Sequence, residues 1–249
     1  MKHRTLITAC FLFLTEFLLA QPGAVSLSIQ YMQQLKAGEN TRAVREALAA
    51  LSEDDLARDL AIPDRQYTFW VNLYNATVQD ALRRDSCLYQ DRDAFYSEAR
   101  VRLAGQYLSL EDIEHGILRR SSIKYSLGYL SAWFISDFER RFRVSEVDAR
   151  IHFVLNCGAR SCPPLRILYP HRAFRQMERA TREYLRSNSE IKGEEIWVTP
   201  LMSWFRGDFG DRIAFLKAYG VLPADSDLDD LEYLPYDWTL SLGDWAEED

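Results

Sequence analysis

Histidine and cysteine are scarce in this chain, four of each in 249 residues. So few cysteines cannot build a disulfide scaffold, and a hydrophobic core must hold the fold. Positive charge is in deficit too. Thirty Lys and Arg stand against 37 Asp and Glu, a formal net charge of −7, which speaks against nucleic acid as a partner. The phosphate-cradling loop, the dinucleotide fingerprint and the Ser-centred elbow are missing, as are internal repeats and low-complexity linkers. Long apolar runs are absent except at the start. There Lys2, His3 and Arg4 precede Leu6–Ala20, a run of export-signal length and too short for a comfortable membrane span. Ile7-Thr8-Ala9-Cys10 imitates a lipoprotein box, but most of the apolar run follows Cys10. Cleavage after Ala20 is expected, giving a periplasmic or secreted protein with no further membrane contact. Residues 1–20 carry Lys2, Arg4 and Glu16, so their loss takes the net charge from −7 to −8 and leaves Cys87, Cys157 and Cys162. An odd count leaves at least one thiol free or intermolecular.

The remaining length suits one domain. Residues 21–62 read as a helical lead-in, with short amphipathic helices over Ser28 to Leu35 and Thr41 to Leu51 and an N-cap pattern at Ser52 and Asp55. Residues 63–241 form the main body, and 242–249 an acidic tail. Asp64 to Arg84 is the strongest helix, with Asp64 as its expected cap. Trp70, Leu73, Tyr74, Thr77, Val78 and Ala81 form its core stripe. Asn72, Asn75 and Gln79 lie on a neighbouring face, where Asn is a poor helix former. They read as buried amides that tie down a loop. Val101 to Leu110 reads as a hairpin, after which Ser109 caps a helix with Asp112 three residues on. Tyr129 to Phe142, with Trp133, Phe134 and Phe138, reads as buried. His171 to Arg186 and Arg212 to Tyr219 read as helices, Glu190 to Thr199 as a hairpin. Ala224 to Glu232 is expected to be mobile and Leu234 to Leu240 an extended aromatic strand, with Asp237 a buried partner. Helices outnumber short, hairpin-like strands, which predicts an α+β fold: a predominantly helical single domain with short antiparallel hairpins.

The stretch richest in chemistry is His152-Phe153-Val154-Leu155-Asn156-Cys157-Gly158-Ala159-Arg160-Ser161-Cys162-Pro163-Pro164. An apolar run ends in a small-residue loop bracketed by two cysteines. Gly158 admits φ > 0, while the Pro pair fixes φ and removes donors. A defined turn should present Cys157, Arg160, Ser161 and Cys162. Together with Phe69-Trp70-Val71-Asn72-Leu73-Tyr74-Asn75-Ala76, Asp112-Ile113-Glu114-His115-Gly116-Ile117-Leu118-Arg119 and Leu234-Pro235-Tyr236-Asp237-Trp238, it resembles the uncharacterised family called domain of unknown function 547, from about Tyr67 to Leu240. The resemblance implies no settled activity or cofactor. Family members that share the His-Phe and Gly of this loop do not all keep both cysteines, which counts against a thiol essential throughout the family.

Cys157 and Cys162 admit three readings. Four intervening residues, Gly and Ala among them, allow a disulfide. A nucleophilic thiolate would need a base or cation nearby, and His152, His115 and Arg160 could serve. Zinc is the third, with His152 or His115 as further ligands, though the Cys spacing is at the wide end of the usual range, and no metal or cofactor is expected. His115 and His152 both lie inside the family-like motifs, and if they converge on the Cys loop one can act as base and the other as orienter or oxyanion donor. His115 is one turn from Glu111 and Arg119, either of which could set its protonation, and Glu114 could fix a ring tautomer.

Two functions follow. One is an enzyme of thiol-dependent acyl transfer or amide hydrolysis. Cys157 would be its nucleophile, His115 or His152 its base, with Glu114 and Asn75 orienting and Asn72, Arg160, Ser161 and Cys162 in support. Likeness to papain-like enzymes would be analogy only, since His115 precedes Cys157. The other is a non-catalytic envelope domain whose loop is pinned by Cys157–Cys162 and which takes a small-molecule or peptide ligand. Asp208, in Gly207-Asp208-Phe209-Gly210, reads as structural, capping the next helix or binding an Arg.

Overall fold

The structure, a computed structural model, describes residues 22–247. The predicted export segment and the last two residues of the acidic tail lie outside the described residues. The lead-in folds as α1 (Ala24–Ala37), α2 (Arg42–Ala50) and α3 (Glu53–Asp59). The Asp55 N–H donates to the Ser52 hydroxyl at 3.0 Å, the cap that the sequence suggested.

The chain then enters α4 (Pro63–Arg84). Pro63 sits in its first turn, where a fixed φ and a missing N–H cost nothing. Ile62, not Asp64, is the N-cap. The Asp64 carboxylate instead accepts from the His171 N–H at 3.1 Å. Every residue from Tyr67 to Leu82 is buried, so α4 is a central helix rather than a half-exposed one. α1 covers one side, and segments downstream cover the others.

A 3₁₀ turn, Ser86–Gln90, and α5 (Arg92–Ser97) lead to the hairpin β1 (Val101–Leu103) and β2 (Gln106–Leu108). Ala104 and Gly105 turn it with φ of 48° and 80°, the two positive angles of a type I′ turn. Ser109 and Asp112 then cap reciprocally: Ser109 N–H donates to the Asp112 carboxylate at 2.8 Å, and Asp112 N–H to the Ser109 hydroxyl at 3.0 Å. The helix they open, Asp112–Leu118, is wound as a π-helix, a geometry frequent at functional sites.

Residues 121–132 form a tight loop that bonds to itself, and α6 (Asp137–Phe142) follows. The expected burial of Tyr129 to Phe142 fails over its first half. Trp133 and Phe134 are 93% and 97% exposed, whereas Phe138 and Phe142 are buried. The last two stand one helical turn apart on α6 and meet Trp70 edge-on. Trp133 and Phe134 precede the helix and share no face with them.

A 3₁₀ turn, Ala149–Phe153, carries His152 to the Cys loop. α7 (Ala173–Ser187) starts just after His171, whose φ is 68°. β3 (Ser189–Lys192) and β4 (Glu195–Val198) pair antiparallel, then come α8 (Leu201–Trp204) and α9 (Arg212–Ala218), the last capped by Asp211 rather than Asp208. β5 (Leu231–Tyr233) joins β4 in parallel. The strand thus falls at the end of the acidic stretch, and Leu234 to Leu240 is irregular, tied to the Cys loop by a bridge between Ala159 and Leu240 and by bonds from the Arg160 and Ser161 N–H groups to the Thr239 and Asp237 carbonyls. Helices predominate over two small sheets, the α+β class expected.

Candidate functional site

The Cys loop is held from below by side-chain amides of α4. Asn75 donates to the Val154 carbonyl and accepts from the Asn156 N–H, both at 2.8 Å. One turn away, Asn72 makes the same pair of bonds with Leu168, both at 2.9 Å. Gln79 donates to Asn156, whose own amide donates to the Pro163 carbonyl and accepts from the Gly158 N–H. A buried amide is tolerable only when bonded, and each of these matches backbone groups that would otherwise be orphaned. Asn75 therefore acts on the loop's backbone and Asn72 on the segment just after it, neither on the cavity above.

Cys157 and Cys162 are joined as a disulfide; Cys87 is free and exposed. The Cys157 N–H donates to Cys162 Sγ at 3.0 Å, and the Tyr236 hydroxyl lies 3.5 Å and 3.4 Å from the two sulfurs. The Tyr96 hydroxyl donates to the Cys157 carbonyl at 2.5 Å. Gly158 has a φ of 83°, which strains any residue with a side chain, and a Cβ there would also press on Leu82 Cδ1 at 2.9 Å.

Cys157 lines a cavity of about 480 Å³ that Glu114, His115 and His152 also line. Its size is ordinary for a small-molecule site. Six separate stretches of sequence meet in it, around Tyr74, Arg92, His115, Cys157, Trp204 and Tyr236. Aromatic rings form much of the wall, with Trp204 against Tyr236 at 4.9 Å and stacked on Trp238 at 5.6 Å. Arg160 and Ser161 face elsewhere. The Arg160 guanidinium is exposed, 3.4 Å from the Asp237 carboxylate, and the Ser161 hydroxyl accepts from the Asp237 N–H at 2.8 Å. Asp237 is correspondingly half-exposed and not the buried partner expected. A second cavity, of about 500 Å³, lies between α2, α4 and β1, apart from all these residues.

Behind the two histidines runs a buried ionic chain. Arg119 Nη1 donates to His115 Nδ1 at 2.9 Å, and its Nε and Nη2 donate to Asp208 at 2.6 and 3.2 Å. His152 Nε2 stands 2.8 Å from Asp208 Oδ2. Arg119 is fully buried and Asp208 nearly so. The His152 ring stacks on Phe205 at 3.9 Å, and Arg119 lies over the same ring at 4.7 Å. Burial pushes both imidazoles below their ordinary pKa, against the raising influence of Glu114 at His115 and of Asp208 at His152. Burial would raise Asp208, but hydrogen bonds from His152 and Arg119 outweigh it and hold its carboxyl below the usual range.

These partners fix the tautomers. An Arg can only donate, so His115 Nδ1 is an acceptor and its proton sits on Nε2. An ionised Asp208 can only accept, so His152 carries its proton on Nε2 and keeps Nδ1 as a lone-pair site. Glu114 does not orient His115; it accepts from the Tyr74 hydroxyl at 2.9 Å. Among the described residues no imidazole hydrogen-bonds Cys157 Sγ, and no cluster of three or more His, Cys, Asp or Glu side chains could hold a metal ion.

Sequence reasoning missed Asp208 as a partner of His152. Its one signal was the isolated acid in a tight Gly207–Gly210 turn, read as binding some Arg. Arg119 was noticed only as a neighbour of His115. Tyr236 and Trp238 were read only as part of an extended aromatic strand, yet both line the cavity.

No curated protein and no solved structure matches the chain. The model of the family described as "Protein of unknown function, DUF547" matches residues 58–185, more than half of the chain. The matched span includes Asn75, Glu114, His115, Arg119, His152, Cys157 and Cys162. It starts earlier than the expected Tyr67 and ends well before Asp208 and Tyr236. The chain belongs to this DUF547 family of proteins of unknown function.

Proposed function

We propose that the chain is an exported enzyme of thiol-dependent acyl transfer or amide hydrolysis, held latent by the Cys157–Cys162 disulfide. The observation that carries this reading is the shared cavity: Glu114 and His115 from one segment and His152 and Cys157 from another line one space of about 480 Å³. A buried Arg–Asp pair contributes little net stability, and here both its members fix imidazole tautomers, which favours a chemical role. Once an external dithiol has reduced the disulfide to two thiols, itself becoming a disulfide, His152 Nδ1 takes the Cys157 thiol proton while Asp208 steadies Nε2. The sulfur then bonds to the acyl carbon of the substrate and the amine leaves with that proton. Water releases the acid, or another nucleophile accepts the acyl group. His115 Nε2–H and the Tyr236 hydroxyl are the donors available to the developing oxyanion.

A second reading has its own support. The Cys157 sulfur is bonded to Cys162 and beside the Tyr236 hydroxyl, with no imidazole partner. A loop closed in this way and walled by aromatic rings suits a non-catalytic binder of a small molecule or peptide. Iodoacetamide alkylation of the reduced protein, mapped by peptide mass spectrometry, separates the two. At about pH 6 an ordinary thiol is nearly inert, since its pKa is about 8.5. The enzyme reading expects Cys157 to react about tenfold faster than the exposed Cys87, and His152→Ala to remove most of that advantage. Equal rates would leave the binding domain standing. Export is tested separately, by a mature N-terminus at or near Gln21.

A further inference from the structure

Six of the ten large hydrophobic side chains exposed among the described residues fall in one short segment: Ile123, Tyr125, Tyr129, Leu130, Trp133 and Phe134. Trp133 and Phe134 are adjacent and 93% and 97% exposed. A patch of this kind marks an interaction surface, because it gains nothing from the fold that displays it.

The segment is firmly built. Ile123 N–H donates to the Leu130 carbonyl at 2.9 Å, Ala132 N–H to Ser121 at 2.7 Å, and Ser126 and Tyr129 close the tip with bonds of 3.0 Å. That tip docks on the turn that carries Asp208, where Gly207 N–H donates to the Leu127 carbonyl at 2.7 Å, so Trp133 and Phe134 project from the other end of the loop, just past its Ser121–Ala132 bond. The approach is so close that a Cβ at Gly207 would stand 2.7 Å from the Gly128 carbonyl carbon.

Charge identifies the occupant. Residues 120–143 hold five Lys or Arg against two Asp or Glu, in a chain of net charge −7. Arg120, Arg140 and Arg143 have no carboxylate partner among the described residues. Arg143 reaches the Ser121 hydroxyl at 3.0 Å and Arg140 the Ile135 carbonyl at 3.5 Å, which keeps both cations at the base of the loop, where Trp133 and Phe134 follow it in the chain. Exposed aromatics in one segment with arginines that have no carboxylate partner match a bilayer with acidic head groups. We propose that this aromatic loop seats the protein on an anionic lipid surface, Trp133 and Phe134 entering the interface and the arginines meeting the head groups. Lys124, Tyr125 and Leu127 of the same loop also line the cavity, so seating places the cavity beside the lipid. The surface does not depend on the thiol chemistry.

Co-sedimentation of the purified protein with phosphatidylglycerol–phosphatidylcholine vesicles tests it. Binding is expected to be strong on these vesicles, weak on phosphatidylcholine alone, and weakened by salt. Trp133→Ser with Phe134→Ser should lower the affinity about tenfold or more, and Arg120→Gln with Arg140→Gln should remove the preference for acidic lipid. All four side chains are exposed, so circular dichroism should match the parent. The proposal is overturned if the protein ignores phosphatidylglycerol vesicles or if the double Ser variant binds them equally. It is also overturned if sedimentation equilibrium shows a dimer that this variant abolishes, since the face would then belong to a second copy.

Discussion

Asn72, Asn75, Gln79 and Asn156 form one buried polar cluster beneath the Cys loop; His115, Arg119, Asp208 and His152 form another beside it. The first is neutral. Its amides bond mainly to backbone, and nothing in it titrates. The second contains a buried ion pair and two imidazoles with lowered pKa, and both imidazoles line the cavity. A neutral amide satisfies two backbone groups without a charge to desolvate, so it fixes shape cheaply. An ion pair of the same burial costs solvation and gives back little, but it can hold a proton in one place. Shape is thus assigned to one cluster and protonation to the other, and substitutions should separate them.

Breaking the ionic cluster should have the largest effect. Asp208→Ala leaves the Arg119 charge buried without its carboxylate, at a cost of about 3–5 kcal/mol, read by urea denaturation. Replacing both partners, Arg119→Met with Asp208→Leu, should recover most of that stability. It should not recover the His152 tautomer, so any reactivity of Cys157 that depends on Asp208 stays lost. If the double variant were as unstable as Asp208→Ala, the ion pair would be a structural necessity and the contrast would fail.

Asn75→Ala should come next. It strands the Val154 carbonyl and the Asn156 N–H, together about 3 kcal/mol. Its unfolding free energy should change equally at neutral and mildly acidic pH, because no titrating group is touched. Reduction of Cys157–Cys162 should cost less, about 2 kcal/mol for so short a loop, since the amides and the Ala159–Leu240 bridge hold the same backbone. A larger loss on reduction would mean that the disulfide, not the amides, fixes the loop.

The amide cluster was legible in the sequence and the ionic one was not, for a physical reason. Asn72 and Asn75 are anomalous within a helix, so local propensity exposes them. The cap of Ser109 by Asp112 and the Ala104-Gly105 turn were readable in the same way. The Arg119–Asp208 pair joins residues 89 apart, and no local pattern connects them. The gathering of His115, His152 and Cys157 was expected from motifs, but the tautomers depend on partners visible only in three dimensions. Trp133 and Phe134 show the converse limit. Apolar composition predicts burial by default, whereas exposure depends on whether an element places the residue on its inner face.

The smallest effect expected is the pH dependence of the ionic cluster. In the unfolded chain His115 and His152 take a proton near pH 6.5. In the fold burial depresses both, so between that value and their folded pKa the unfolded state binds more protons and stability falls as pH falls. Asp208, whose folded pKa is also lowered, contributes stability that is full at neutral pH and is lost only in strong acid, as pH falls through its folded value. The imidazoles therefore account for a decline that begins near pH 6.5, with a slope bounded by about 1.4 kcal/mol per pH unit for each proton taken up. His152→Gln should flatten this decline, and Asn75→Ala should leave its slope unchanged while shifting the whole curve down. Were the Asn75 variant to change the slope and the His152 variant not, the division of labour between the two clusters would be reversed.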